Sequence, residues 1–103
     1  MSVGTHLSIS IVNPLFRSGQ YVITAGIHEL VLQGKVNLGL LLGRHLSGDW
    51  GDLDDSDKRA NDRAVRSGED RIFSSYQLSP DLKVYVITEW DRSVTTVLLP
   101  GEY

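Results

Sequence analysis

The chain has 103 residues, 41% hydrophobic and 22% charged, with a formal net charge of −3 and no cysteine. That length suits one ordinary globular domain over residues 1–103, burying roughly two thirds of the surface its unfolded chain exposes, and makes a second domain implausible. The missing cysteine excludes disulfides, thiolate catalysis and cysteine-type zinc sites, and the small acidic excess provides no basic face for duplex binding, so direct nucleic-acid binding is disfavoured.

Met1 to Ile11 lacks the basic start and unbroken apolar run of a signal peptide, and no apolar stretch approaches the about 20 residues that span a bilayer. A cytoplasmic protein without membrane contact is expected. Leu7 to Val12 alternates Leu7, Ile9 and Ile11 with Ser8 and Ser10, the period of a half-buried strand, and Asn13-Pro14 ends it. Gln20 to Ala25 is rich in β-branched and aromatic residues and reads as a second strand between Gly19 and Gly26.

Ile27, Leu30 and Val31 fall at i, i+3 and i+4, which predicts a short helix from Ile27 to Gln33 ending at Gly34. Asn37 is placed to cap a second helix over Leu38 to Leu46, whose leucines 38, 41, 42 and 46 share nearly one face. Gly39 and Gly43 each weaken it by about 1 kcal/mol relative to alanine, so it depends on tertiary packing. Asp54 or Asp55 starts a third, mostly solvent-facing helix, Asp55 to Ser67, closed by Gly68.

The last third turns to strands: Arg71 to Leu78, Lys83 to Trp90 and Val94 to Leu99, joined by short turns that make an antiparallel meander. Alternation puts Ile72, Ser74, Tyr76 and Leu78 on one face and Phe73 and Ser75 on the other; it opposes Val84, Val86, Thr88 and Trp90 to Tyr85, Ile87 and Glu89. Both faces are partly apolar. Helices are expected over one, and the N-terminal segment or another chain over part of the other. The fold class is α+β, with short helices packed on a C-terminal three-stranded meander and one or two N-terminal strands.

The densest chemistry lies in His45-Leu46-Ser47-Gly48-Asp49-Trp50-Gly51-Asp52-Leu53. His45, with an unperturbed pKa near 6.5, is the candidate general base. Arg44, Arg71 or Arg92 would supply a cation for phosphate, and Ser75, Tyr76, Thr95 or Thr96 a hydroxyl. Alternatively, His45 closes its helix, charged by the dipole and bonded to a backbone carbonyl. Asp49, Asp52, Asp54 and Asp55 do not follow a calcium-loop spacing, and helix capping accounts for them; no metal and no cofactor is expected. Trp50 either marks a partner surface, joined there by the four aspartates, or anchors its loop to the core. Arg92 is expected to pair with Glu89 or Asp91.

The block Arg44-His45-Leu46-Ser47-Gly48-Asp49-Trp50-Gly51-Asp52-Leu53, together with Val86-Ile87-Thr88-Glu89-Trp90-Asp91-Arg92-Ser93-Val94-Thr95-Thr96-Val97-Leu98-Leu99-Pro100, resembles a family of small bacterial proteins of plasmids and other mobile elements, often labelled as type I restriction related. The likeness covers residues 41–103 and the Thr24-Ala25-Gly26 turn, and implies a mobile-element accessory protein. The order of parts is also reminiscent of small ribonuclease toxins of the barnase, colicin and RelE-like group. Three functions follow as expectations: a protein-binding module that interferes with a host defence complex through an acidic surface, a small metal-independent ribonuclease using His45 with an arginine, or a homodimeric regulatory protein.

Overall fold

A computed structural model of the protein describes residues 13–103, and the strand expected at Leu7–Val12 lies outside the described residues. The chain runs through β1 (Gln20–Ile23), α1 (Ala25–Leu32), α2 (Leu38–Leu46), α3 (Asp55–Ser67), β2 (Ile72–Ser79), β3 (Leu82–Thr88), β4 (Val94–Leu98) and a 3-10 turn (Pro100–Glu102). The class is α+β. No described helix is long and apolar enough to cross a membrane.

Local chemistry sets the ends of α2 and α3. The Leu40 amide donates to Asn37 Oδ1 at 3.1 Å and the Asp57 amide to Asp54 Oδ1 at 2.8 Å, each satisfying a helix-start donor. Gly68, left-handed at φ 72°, closes α3 by donating its N–H to the Ala64 carbonyl. The first helix departs from expectation: it starts at Ala25, not Ile27, so the strand before it ends at Ile23 and Gly26, expected to bound that strand, lies inside the helix. A remote carboxylate explains the difference. Glu102 accepts from the Thr24 hydroxyl at 2.5 Å and the Gly26 amide at 2.9 Å, so the C-terminal turn caps α1. A side chain at Gly26 would press on Leu99 Cδ1, 2.7 Å from the position of a Cβ.

The sheet order is β1-β4-β3-β2. The β2-β3-β4 meander is antiparallel as expected, while β1 joins it parallel to β4, with Tyr21 opposite Thr95 and Ile23 opposite Val97, making the sheet mixed. A parallel neighbour requires a long crossover, here supplied by the helices and the first two meander strands. One face, bearing Tyr76, Val84, Val86 and Val97, packs against Ile27, Val36, Leu38, Leu41 and Leu42 of the α1–α2 layer. A smaller cluster of Trp50, Ala64 and Ile72 lies under α3. On the opposite face Phe73 and Tyr85 meet the C-terminal Tyr103, with ring centroids 6.3 Å from each. Here the cover comes from the turn around Tyr103, where the N-terminal segment or another chain was expected.

Candidate functional site

His45 occupies the last turn of α2, three and four residues after Leu42 and Leu41, so helical periodicity puts it on the same inward face. It is fully buried. Its Nδ1 lies 2.6 Å from Ser74 Oγ and its Nε2 2.9 Å from Thr88 Oγ1, which is 2.6 Å from Thr95 Oγ1. The far end fixes the direction of every proton. Thr95 Oγ1 donates to the Ser18 carbonyl at 2.7 Å, so it can only accept from Thr88. Thr88, having spent its proton, accepts from His45 Nε2–H, and His45 Nδ1 then accepts from Ser74.

The histidine is thus the neutral Nε2–H tautomer. Phe16 and Trp50 enclose it edge-on, with centroids at 5.3 and 6.0 Å. Burial without a compensating carboxylate pushes its pKa down to about 3. The expected alternative of a charged, carbonyl-bonded helix end is corrected on both counts: the ring meets hydroxyls and is uncharged.

The loop after His45 seals the outer edge of β2. Gly51 forms a one-residue parallel bridge with Ser75: the Ser75 amide donates to the Trp50 carbonyl at 3.2 Å, and the Asp52 amide to the Ser75 carbonyl at 2.7 Å. One step along, the Gln77 amide donates to Asp52 Oδ2 at 2.6 Å. One step back, Asn61 of α3 takes both backbone groups of Phe73, accepting its N–H at 3.1 Å and donating to its carbonyl at 2.7 Å. Loop and helix side chains therefore stand in for a neighbouring strand at an edge otherwise open to intermolecular pairing. Gly51 is required there: its φ is 77°, and a Cβ would sit 2.0 Å from the Ser75 carbonyl oxygen.

Trp50 is buried, with Nε1 donating to Asp62 Oδ1 at 3.0 Å, so the partner-surface reading of Trp50 is corrected to an anchor. The exposed indole is Trp90. Asp49 pairs with Arg44 at 2.6 Å, and that hydrogen bond, with one from the Gly51 amide, holds its carboxyl below the usual range. Asp52 and Asp54 cap backbone amides yet remain exposed, and Asp55 is exposed in the first turn of α3.

Of the residues expected to act with His45, Thr95 reaches it only through Thr88, and Arg44, Ser75 and Arg92 are not brought to it. Arg44 points to Asp49 and lies over the Tyr76 ring. Ser75 follows Ser74 in β2, so its side chain takes the opposite face of the sheet. Arg92 meets no carboxylate among the described residues: Nη1 lies within hydrogen-bond distance of the Asp70, Glu89 and Trp90 carbonyls and Nη2 donates to that of Ala64. It ties the β3–β4 turn to the end of α3, and those contacts hold its left-handed backbone at φ 60°. The expected pairing with Glu89 or Asp91 is replaced by these carbonyl contacts.

The true partners, Ser74 and Thr88, were legible only as inward-facing positions beside Tyr76 and Val86. Among the described residues no three His, Asp or Glu side chains converge to hold a metal ion. Neither the family models, the curated proteins nor the solved structures contain a match to this chain.

Proposed function

We propose that the chain is a protein-binding module, and that its recognition surface is the acidic strip of Asp52, Asp54 and Asp55. The carrying observation is that these three carboxylates are solvent-exposed and, among the described residues, unpaired with any cation. Such a strip is complementary to a basic protein surface and steers association with it. Resemblance of the His45–Leu53 and Val86–Pro100 blocks to mobile-element proteins supports a cytoplasmic accessory role, in which the strip occupies a phosphate-binding face of a host defence complex. Burial of His45 in a closed hydroxyl chain favours this reading over a ribonuclease using that residue as base.

The test is capture from a host lysate, combined with a defence-protection assay. Asp54→Asn with Asp55→Asn removes charge while retaining a capping side chain, and is expected to weaken capture about tenfold or more, with a loss that shrinks as salt rises. Unchanged capture by that variant, or no partner and no protection with the wild-type chain, contradicts the proposal. So does RNA cleavage in expressing cells that His45→Ala abolishes, and so does self-association as the sole interaction recovered.

A further inference from the structure

A depression of about 410 Å³ lies between α3 and the outer sheet face, lined by Leu53, Asp57, Ala60, Arg71, Phe73, Tyr85 and Tyr103, with the committed side chain of Asn61 at its base. Its size falls within the range of small-molecule sites. Three of its walls are aromatic and mutually inclined: Phe73 and Tyr85 at 55° with centroids 4.7 Å apart, Phe73 and Tyr103 at 74°, Tyr85 and Tyr103 at 90°. Rings set this way present a face and edges to a flat guest.

Arg71 supplies the second feature. Its guanidinium stands 5.6 Å from the Phe73 centroid and 5.8 Å from that of Tyr103, and it donates to the Tyr103 hydroxyl. Among the described residues it pairs with no carboxylate. An exposed guanidinium kept beside aromatic rings without a counter-ion is a fork for an anion. Asp57, on the α3 wall, is an acceptor for an amino group. A ligand matching all three carries a flat ring, an anionic group a short distance from it, and an exocyclic amine.

We propose that this depression binds a mononucleotide, with the base against Phe73, Tyr85 and Tyr103, the phosphate on Arg71 and a base amino group toward Asp57. The site adjoins the partner surface through Leu53, but none of Asp52, Asp54 and Asp55 lines it, and its test reads nucleotide binding and not protein capture. Failure of one proposal therefore leaves the other standing.

Backbone amide NMR of the full chain, titrated with adenosine 5′-monophosphate, adenosine, inorganic phosphate and 4-hydroxyphenylacetate, tests it. The nucleotide is expected to shift the Arg71, Phe73, Tyr85 and Tyr103 signals saturably, with adenosine and phosphate each about tenfold weaker. Arg71→Gln should weaken the nucleotide about tenfold and leave adenosine unchanged, whereas Tyr103→Ala should weaken both, because stacking serves the base and the guanidinium the phosphate. Both side chains are exposed, so both variants should stay folded, Arg71→Gln near the wild-type urea midpoint and Tyr103→Ala somewhat below it because its ring no longer covers Phe73 and Tyr85. No saturable shift, equal binding of 4-hydroxyphenylacetate, or unchanged nucleotide affinity in Arg71→Gln overturns the proposal.

Discussion

His45→Ala is expected to lower the unfolding free energy by about 3 to 4 kcal/mol, read as a fall in the urea midpoint with an unchanged slope. Two losses add. A cavity opens beside Phe16 and Trp50, and Ser74 and Thr88 lose the partner that satisfies them in the core. The combination His45→Leu, Ser74→Ala and Thr88→Val should recover most of the stability, because it removes every group left unsatisfied while Thr95 still donates to Ser18. A histidine kept for packing and hydrogen bonding gives that recovery. If His45→Ala unfolds at the wild-type urea concentration, the hydroxyl chain is not a stabilising unit.

Gly51→Ala is expected to cost more than about 3 kcal/mol, with aggregation appearing at lower urea than unfolding. Left-handed backbone alone costs an alanine about 1 to 2 kcal/mol, and the added Cβ would sit 2.0 Å from the Ser75 carbonyl oxygen and 2.7 Å from Tyr76 Cδ1. The loop must then lift from β2, exposing its backbone groups to other chains. Gly34→Ala separates the two effects. Gly34 has φ 74° with nothing within 4 Å of a Cβ, so it should show the backbone cost alone. Equal losses at the two positions would mean that the edge seal contributes nothing.

Much of the architecture is legible in the sequence because it is written locally. Asn37, Asp54 and Gly68 mark helix ends through bonds to amides and carbonyls within four residues, and α2 and α3 have the predicted bounds. Short turns likewise made the meander readable. What stayed hidden depends on distant partners. Gly26 reads as the end of a strand until Glu102, 76 residues away, is seen to cap a helix there. The pairing of β1 with β4 has no local signature.

The His45–Leu53 block shows the same division. Its aspartates read as helix caps and neither is one: Asp52 caps a β-strand amide, and Asp49 pairs with Arg44 and accepts from the Gly51 amide. Strand alternation identified the inward faces of Ser74 and Thr88, but not which α2 side chain meets them, since those contacts span 29 and 43 residues. Between Trp50 and Trp90, composition could not choose the exposed one. The bridge from Gly51 to Ser75 and the fit of Trp50 against Ala64 and Ile72 decide it.

The neutral histidine also sets a pH dependence. Its folded pKa, near 3, lies below the unfolded value of about 6.5, so between these pH values the unfolded chain binds the extra proton. The stability is therefore complete above pH 6.5 and declines as pH falls, by up to about 1.4 kcal/mol per pH unit through the middle of that window. The carboxylates of Asp49, Asp91 and Glu102, held low by their hydrogen bonds, add to the loss only as pH falls through their unfolded range near 4. His45→Leu, Ser74→Ala, Thr88→Val should lack the first component and keep the second.

The most direct measurement is the ring nitrogen spectrum of His45, followed by NMR from pH 8 down to pH 5. A protonated Nε2, an unprotonated Nδ1 and no titration across that range are predicted by the ordered chain from Ser74 to Ser18. A His45 that titrates between pH 5.5 and 7.5 would contradict it, returning to this residue the acid-base capacity that a catalytic role requires.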